Sequence, residues 1–316
     1  MYDRVLRNGL ILAGTGQPGF VADVAIAGGR IAAVGQLGAF DGEEIDAAGL
    51  VVAPGLIDDQ GVSDAAVLGN PDQLLARWPG VTTLLLNPWE PAVADPRDQG
   101  AGSAGPPAPL RESGPGRWPI HLAWLGAQPL RWVYGAPVPE TLGVVAEVAR
   151  QQGVPIVWRP ATSAPPPSWP RLWETLEEIN AEALQVYWYM TDWPAANHAD
   201  TVVELLQRPD ILLGGFPLDP RDAAGTFLRG RLAPWRRWPG RVPLERLVQK
   251  LTDWPARVWG LCRRGRIQPE HVADLVIFNA DTGELAQTFV AGEPVFADGQ
   301  PTGARPGELL CLGNQA

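Results

Sequence analysis

Few side chains in this chain can do acid–base, nucleophilic or metal chemistry. Its 316 residues include three histidines, His121, His198 and His271, and two cysteines, Cys262 and Cys311. Lys250 is its single lysine. The cysteines are far apart and not in CxxC spacing, which argues against a zinc knuckle or a disulfide framework. Asp58, Asp59 and Asp64 cluster behind an apolar run, and oxygen-rich clusters can hold Mg2+ or Ca2+. The competing reading makes Asp58 structural and leaves Asp59 and Asp64 solvated. His121 sits inside the apolar run IHLAWL and is expected to be hydrogen-bonded structure. His198 is expected near a helix start, and His271 is expected to be exposed. The serines Ser63, Ser103, Ser113, Ser163 and Ser168 lie in no G-x-S-x-G elbow. No GxGxxG or phosphate-binding loop appears.

The elements that must position these groups fall into two kinds. Strand signals fill both ends: Arg4–Leu12 with a turn at Asn8–Gly9, Val21–Ala27, Arg30–Val34 after the Gly28–Gly29 turn, and Glu44–Ala53. At the other end they cover Ala273–Phe278, Leu285–Val290 and Pro294–Phe296. The middle alternates short apolar runs with helical patterns. The runs are Leu56–Ile57, Val81–Leu86, Ile120–Leu125, Val154–Trp158, Ala183–Trp188 and Ile211–Leu213. The helical patterns cover Pro71–Arg77, Glu140–Gln152, Ser168–Ala181, Asp200–Gln207 and Arg241–Gly260. Buried strands alternating with helices mean parallel βα units. The fold expected is therefore α/β: a compact or incomplete (β/α)8 TIM-like barrel over 54–268, a little short for that fold. A small composite β-sandwich joins it, built from 1–53 and 269–316. A doubly wound open sheet is the alternative. The Pro/Gly/Ser-rich stretch Ala94–Pro119 is too long for an ordinary connection; it reads as a surface loop, or as a lid or docking segment.

Composition narrows the partners. The formal charge is −10, which disfavours nucleic acid and an anionic membrane surface. No apolar run is long enough to span a bilayer. The N-terminus is charged and lacks an apolar h-region, so no signal peptide is expected and the location read is cytoplasmic.

The string VVAPGLIDDQGVSD at Val51–Asp64 resembles the entry to the barrel in the amidohydrolase superfamily, VAPGFID-x-H-x-H-x-D. MYDRVLRNGLILAGTGQPGFVADVAIAGGRIAAVG, DPRDAAGTFLRG, LTDWPARVWGLCRRGRIQPEHVADLVIFN and the TGARPG ending resemble the N-acyl-D-amino-acid deacylases (D-aminoacylases) of that superfamily. The resemblance implies a barrel enzyme hydrolysing C–N bonds. Its zinc would be held by histidines, a carboxylate and a cysteine and would activate water, with an aspartate moving the proton.

The positions that the resemblance assigns to those groups carry other residues. The paired histidines after the first barrel strand fall on Gln60 and Val62. The cysteine falls on Trp89 or the neighbouring Pro88. The fifth- and sixth-strand histidines fall on Val157 and Trp188. The last-strand aspartate falls on Phe216, and the histidine of an HPR string becomes Asp219. Asp58, Asp64, Arg159, Arg221, Gly225, Thr226 and Phe227 keep the framework. No cofactor is expected, and no catalytic residue.

Three readings follow. The first is a non-catalytic, amidohydrolase-like interaction or regulatory subunit, working with a protein partner or as a homo-oligomer, with exposed tryptophans and the Ala94–Pro119 stretch as contacts. The second is a protein binding a small carboxylate or N-acyl amino acid through Arg159 and Arg221, since arginine forks suit carboxylates. Trp89, Trp158, Trp188 and Trp193 are candidates to line the old pocket, either as a plugged core or as an aromatic cage or protein-contact surface. The third is a C–N hydrolase with an atypical metal or none.

Overall fold

A computed structural model describes residues 1–62, 74–75, 79–86, 116, 118–124, 132–134, 156–159, 174, 186–190, 199–208, 211–213, 232, 235, 238 and 240–311. The expected helices over 140–152 and 168–181 lie outside these residues, Glu174 apart.

Both chain ends build one sheet. β1 (Arg4–Ile11), β2 (Phe20–Ala27), β3 (Arg30–Gly35), β4 (Glu43–Asp46) and β5 (Val51–Pro54) join β13 (Leu275–Phe278), β14 (Leu285–Val290), β15 (Glu293–Ala297) and β16 (Gln300–Pro301). The order is β16-β15-β14-β13-β5-β1-β2-β3, with β4 beside β1. Gly28 and Gly29 both have positive φ, 56° and 73°, and close the β2–β3 hairpin, as a tight primed turn requires. Asn8–Gly9 is not a turn. β1 runs through it with a register shift between Leu6 and Gly9, and Asn8 takes φ 60°. Asp23 holds this bulge, accepting the Asn8 and Leu37 N–H groups at 2.9 and 3.1 Å and pairing with Arg7 at 2.9 Å.

The central strands of this sheet are buried on both faces. Alternate residues of β5 and β13 serve different cores. Val52, Leu275 and Ile277 pack with Leu6, Val24 and Phe289 inside the small domain. Val51, Ala53, Val276 and Phe278 pack with Leu56, Val81 and Leu122 of the barrel strands. That double duty explains why VVA and LVIF lack the alternation of a half-exposed strand.

The middle of the chain supplies parallel strands: β6 (Leu56–Val62), β7 (Val81–Leu86), β8 (His121–Trp124), β9 (Trp132–Tyr134), β10 (Ile156–Arg159), β11 (Val186–Met190) and β12 (Ile211–Leu213). They are the described staves of a TIM-like barrel, in sheets β17-β8-β7-β6 and β12-β11-β10-β9. β17 (Leu309–Cys311) pairs parallel with β8, Cys311 opposite Trp124. Cys311 therefore stands in a barrel sheet and not in the β flank where the sequence reading put it. The approach to β17 is tied down as well, by the Gly307 N–H donating to the Trp118 carbonyl and the Leu122 N–H to that of Glu308, both at 2.9 Å. Trp118 and Pro119 are buried, so the long Pro/Gly-rich stretch ends in core before residue 119.

Three helices are described: α1 (Ala199–Gln207), α2 (Leu244–Leu251) and α3 (Asp253–Trp259). The single helix expected over Arg241–Gly260 is broken at Thr252, whose φ/ψ are −133°/−81°. Pro255 is the cause: it has no N–H for the Leu251 carbonyl and its ring would strike it, whereas the first turn of a new helix tolerates proline. α2 buries Leu244, Leu247, Val248 and Leu251, a helical stripe, and packs on both β6 and β12. Among the described residues no helix is long and apolar enough to cross a membrane.

The docking of β17 requires glycine at 307. A Cβ there would lie 2.1 Å from the Ile120 carbonyl oxygen and 2.8 Å from that of Trp118, and backbone cannot give way. Gly307→Ala should destabilise the fold by about 1–3 kcal/mol in urea denaturation; an unchanged midpoint would mean that β17 does not seat against β8.

Candidate functional site

Barrel enzymes place their chemistry at the C-terminal ends of the strands. β6 brings Asp58, Asp59, Gln60 and Val62 to that end. Its pairing with β7 is irregular there: Asp58 opposes Leu84 but Val62 opposes Leu86, so two extra residues of β6 are accommodated between them. Asp58 and Asp59 are buried. The Trp259 indole N–H of α3 donates to Asp59 Oδ2 at 3.2 Å, which ties that carboxylate to the helix layer. In the second barrel sheet Val157 opposes Tyr187, and Trp158 lies between Val133 and Trp188. Val157 and Trp188 thus stand on adjacent strands, one step out of register. Arg159 is the last residue of β10, opposite Tyr134. Asp64, Trp89, Trp193, His198, Phe216, Asp219, Arg221, Gly225, Thr226 and Phe227 lie outside the described residues.

A zinc ion needs about four N, O or S donors in a tetrahedron. The described strand ends do not fit one. Valine at 62 and 157 has no donor and glutamine at 60 is a poor one, which leaves the carboxylates of Asp58 and Asp59 as the oxygen donors among these positions. Among the described residues no three His, Cys, Asp or Glu side chains come close enough to hold a metal. Lys250 is buried on α2; its ammonium donates to the Arg208 carbonyl and lies 4.9 Å from the Trp254 ring centroid. The tryptophans whose side chains are described are not exposed contacts: Trp118 and Trp259 are buried, and Trp235, Trp238 and Trp254 are half-buried.

Another polar cluster of the described residues lies at the opposite end of the strands. His121, fully buried, opens β8. Its Nδ1 lies 3.1 Å from the Glu308 backbone nitrogen, and its Nε2 faces Asp274 Oδ1 at 3.1 Å. Oδ1 also accepts the Ala291 N–H at 2.9 Å, and Arg264 pairs with Oδ2. Burial alone would raise the Asp274 carboxyl; His121, Arg264 and the Ala291 N–H outweigh it and hold it at about 2. The expectation for His121 as hydrogen-bonded structure is met. Its partners were missed, although an aspartate set directly before an apolar strand (ADLVIF) is a signal, because buried charges need partners.

A second buried carboxylate, Asp253, opens α3. Arg266 reaches it at 2.6 and 3.1 Å and Arg257 at 3.0 Å. Burial pushes its carboxyl above the ordinary value while Arg266 pulls it back. His271 is half-buried rather than exposed, because its ring packs where the exit from α3 returns to the sheet. Burial is the main force pushing its pKa down.

A profile of the Amidohydrolase family matches residues 178–296. The chain is 36% identical over 129 residues to the N-acyl-D-glutamate deacylase of Alcaligenes xylosoxydans xylosoxydans, covering 40% of this chain and 23% of that enzyme. It is 36% identical over 110 residues to the D-aminoacylase of the same organism, covering 34% and 22%. These sequence matches therefore span less than a quarter of each curated relative. Among solved structures, the zinc- and phosphonate-bound N-acyl-D-glutamate deacylase from Bordetella bronchiseptica superposes with TM-score 0.70 at 20% identity, covering 98% of this chain and 99% of that one. A D-hydantoinase from Bacillus sp. AR9 gives 0.67 at 15%, covering 98% of both. At such identities the structural likeness speaks to fold.

The Asp274 network carries a pH signature. Its carboxyl, near 2 when folded against an ordinary 3.8, binds its proton less tightly in the folded state. The stabilisation is whole above about pH 4 and is lost as pH falls toward 2. Between pH 5 and 2.5 the wild type should lose on the order of 1–2 kcal/mol more stability than Asp274→Asn; equal losses in paired urea titrations would show that Asp274 is not held as described.

Proposed function

We infer that this chain, which is a D-aminoacylase-like protein of the amidohydrolase superfamily, keeps the superfamily's scaffold without its metal-dependent hydrolysis and acts by association. It would serve as an interaction or regulatory subunit, with a protein partner or with further copies of itself. One observation carries the reading. Gln60 and Val62 on β6, Val157 on β10 and Trp188 on β11 are the residues to whose positions the resemblance assigns metal-binding histidines. Three of these residues, the two valines and the tryptophan, have no lone pair to give a metal, and fold does not carry function without its site. The curated relatives are deacylases by name, so hydrolysis of a C–N bond is the activity against which the proposal stands.

A second reading has its own support. Arg159 ends β10 with Tyr134 opposite it on β9, at the end of the strands where barrel ligands sit. A guanidinium there suits the carboxylate of an N-acyl amino acid. The chain would then bind such a molecule without cleaving it.

Elemental mass spectrometry of the untagged protein, paired with an assay for acetate released from N-acetyl-D-glutamate with and without added zinc, separates these readings. The expected result is less than about 0.1 equivalent of transition metal, far below the full occupancy of a structural or catalytic zinc, and no release above the blank. A stoichiometric ion retained through gel filtration, with turnover, would overturn the proposal. If the carboxylate reading holds, N-acetyl-D-glutamate should raise the melting temperature of the wild type and leave that of Arg159→Ala unchanged.

A further inference from the structure

The stretch leaving α3 carries a concentration of arginine that the network around Asp274 does not use up. An open depression of about 360 Å3 is bounded there by Asp253, Arg257, Cys262, Arg263, Arg266 and His271, with Arg264 beside them and Ala256, Gly260 and Leu261 as an apolar floor. A volume of this order is the small end of ligand sites. Its charge does not cancel. Arg264 is matched by Asp274. Arg257 and Arg266 share the single carboxylate of Asp253. Arg263 is exposed and makes no ion pair with another described residue. Two positive charges are thus left over, in a chain whose formal charge is −10.

Two further observations mark the spot. Arg263 adopts φ 57°, a left-handed conformation that costs a residue with a Cβ about 1–2 kcal/mol. The Val272 N–H, donating to its carbonyl at 3.0 Å, fixes the turn. Glycine would be the unstrained choice there, and strain of this sort gathers at ligand sites. His271, on the same wall, is held neutral: burial lowers its pKa first, and Arg266 and Arg263 lower it further, against the opposing pull of the Pro269 carbonyl and Asp253. An imidazole kept neutral among arginines is the residue that an incoming anion would recharge.

We propose that the depression lined by Arg257, Arg263, Arg266 and His271 binds a phosphate-type dianion, free or as the phosphate group of a small molecule. The Arg263 fork, the terminal amines of Arg257, which meets Asp253 through Nε alone, and the leftover charge of two match a tetrahedral dianion in sign and in donor type. The site is separate from the strand ends considered above and holds whether or not the barrel hydrolyses anything.

Cys262 is exposed on the wall of the depression and serves as its reporter. The full chain is treated with iodoacetamide, a neutral reagent, in inorganic phosphate or in sodium chloride of equal ionic strength, and alkylation of the Cys262 peptide is followed by mass. Phosphate at about 20 mM should slow the reaction at least about three-fold, as occupancy above about two thirds would. Arg263→Ala, an exposed position whose loss leaves the fold's melting temperature in place, should abolish that protection, and Arg263→Lys should keep part of it. In the same samples the His271 ring resonances should titrate at higher pH with phosphate than with chloride. Equal alkylation rates in the two salts, or protection undiminished in Arg263→Ala, would overturn the assignment.

Discussion

One buried carboxylate holds the two halves of this molecule in register. Asp274 takes the His121 ring from barrel strand β8, the Arg264 guanidinium from the exit of α3 and the Ala291 N–H from the β14–β15 turn. Its backbone carbonyl takes the Gly55 N–H, between β5 and β6, at 2.9 Å. A charge this deep is tolerable only when every lone pair is served. The elements that serve it cannot move independently, so the position of β8 in the barrel and of β13 in the terminal sheet are set together. His121 passes the constraint on through Nδ1 to Glu308, the residue before β17.

The sequence disclosed the periodic parts of the fold and left the non-local parts hidden. Hairpin β2–β3, the runs of β7 and β12 and helix α1 were legible because alternation, continuous apolarity or helical spacing is a local property. The bulge at Asn8 looked like a turn, since both use a residue with positive φ; only the carboxylate of Asp23, reaching from the neighbouring strand, distinguishes them. The break at Thr252 was readable in principle from Pro255. β17 was not: three residues, Leu309–Cys311, give no periodicity, and their parallel partner is some 187 residues earlier in the chain, judging by the Glu308–His121 bond.

The candidate site shows a different split. Residue types at Gln60, Val62, Val157 and Trp188 could be read against the resemblance, and the strands that carry them stand where a barrel needs them. The hydrogen bond from Trp259 to Asp59 could not be read, because it joins residues 200 apart. The arginines after α3 were visible as a string, yet their meaning depends on which carboxylates they meet. Arg264 and Arg266 differ by two positions and serve unrelated partners, Asp274 and Asp253. Charge counting along the sequence treats them alike; only burial and direction separate a structural ion pair from a cation left over for a ligand.

The sheet shared by both ends of the chain also governs how the molecule can be made. β5 lies between β1 and β13, so on a ribosome the N-terminal strands emerge with one edge open and an apolar face uncovered while some two hundred further residues are synthesised. Contacts of such separation form slowly because loop closure must come first. During that interval the nascent β1–β5 segment is a template for the wrong strand. Synthesis speed and chaperone capture, as much as final stability, would then set the yield of native protein.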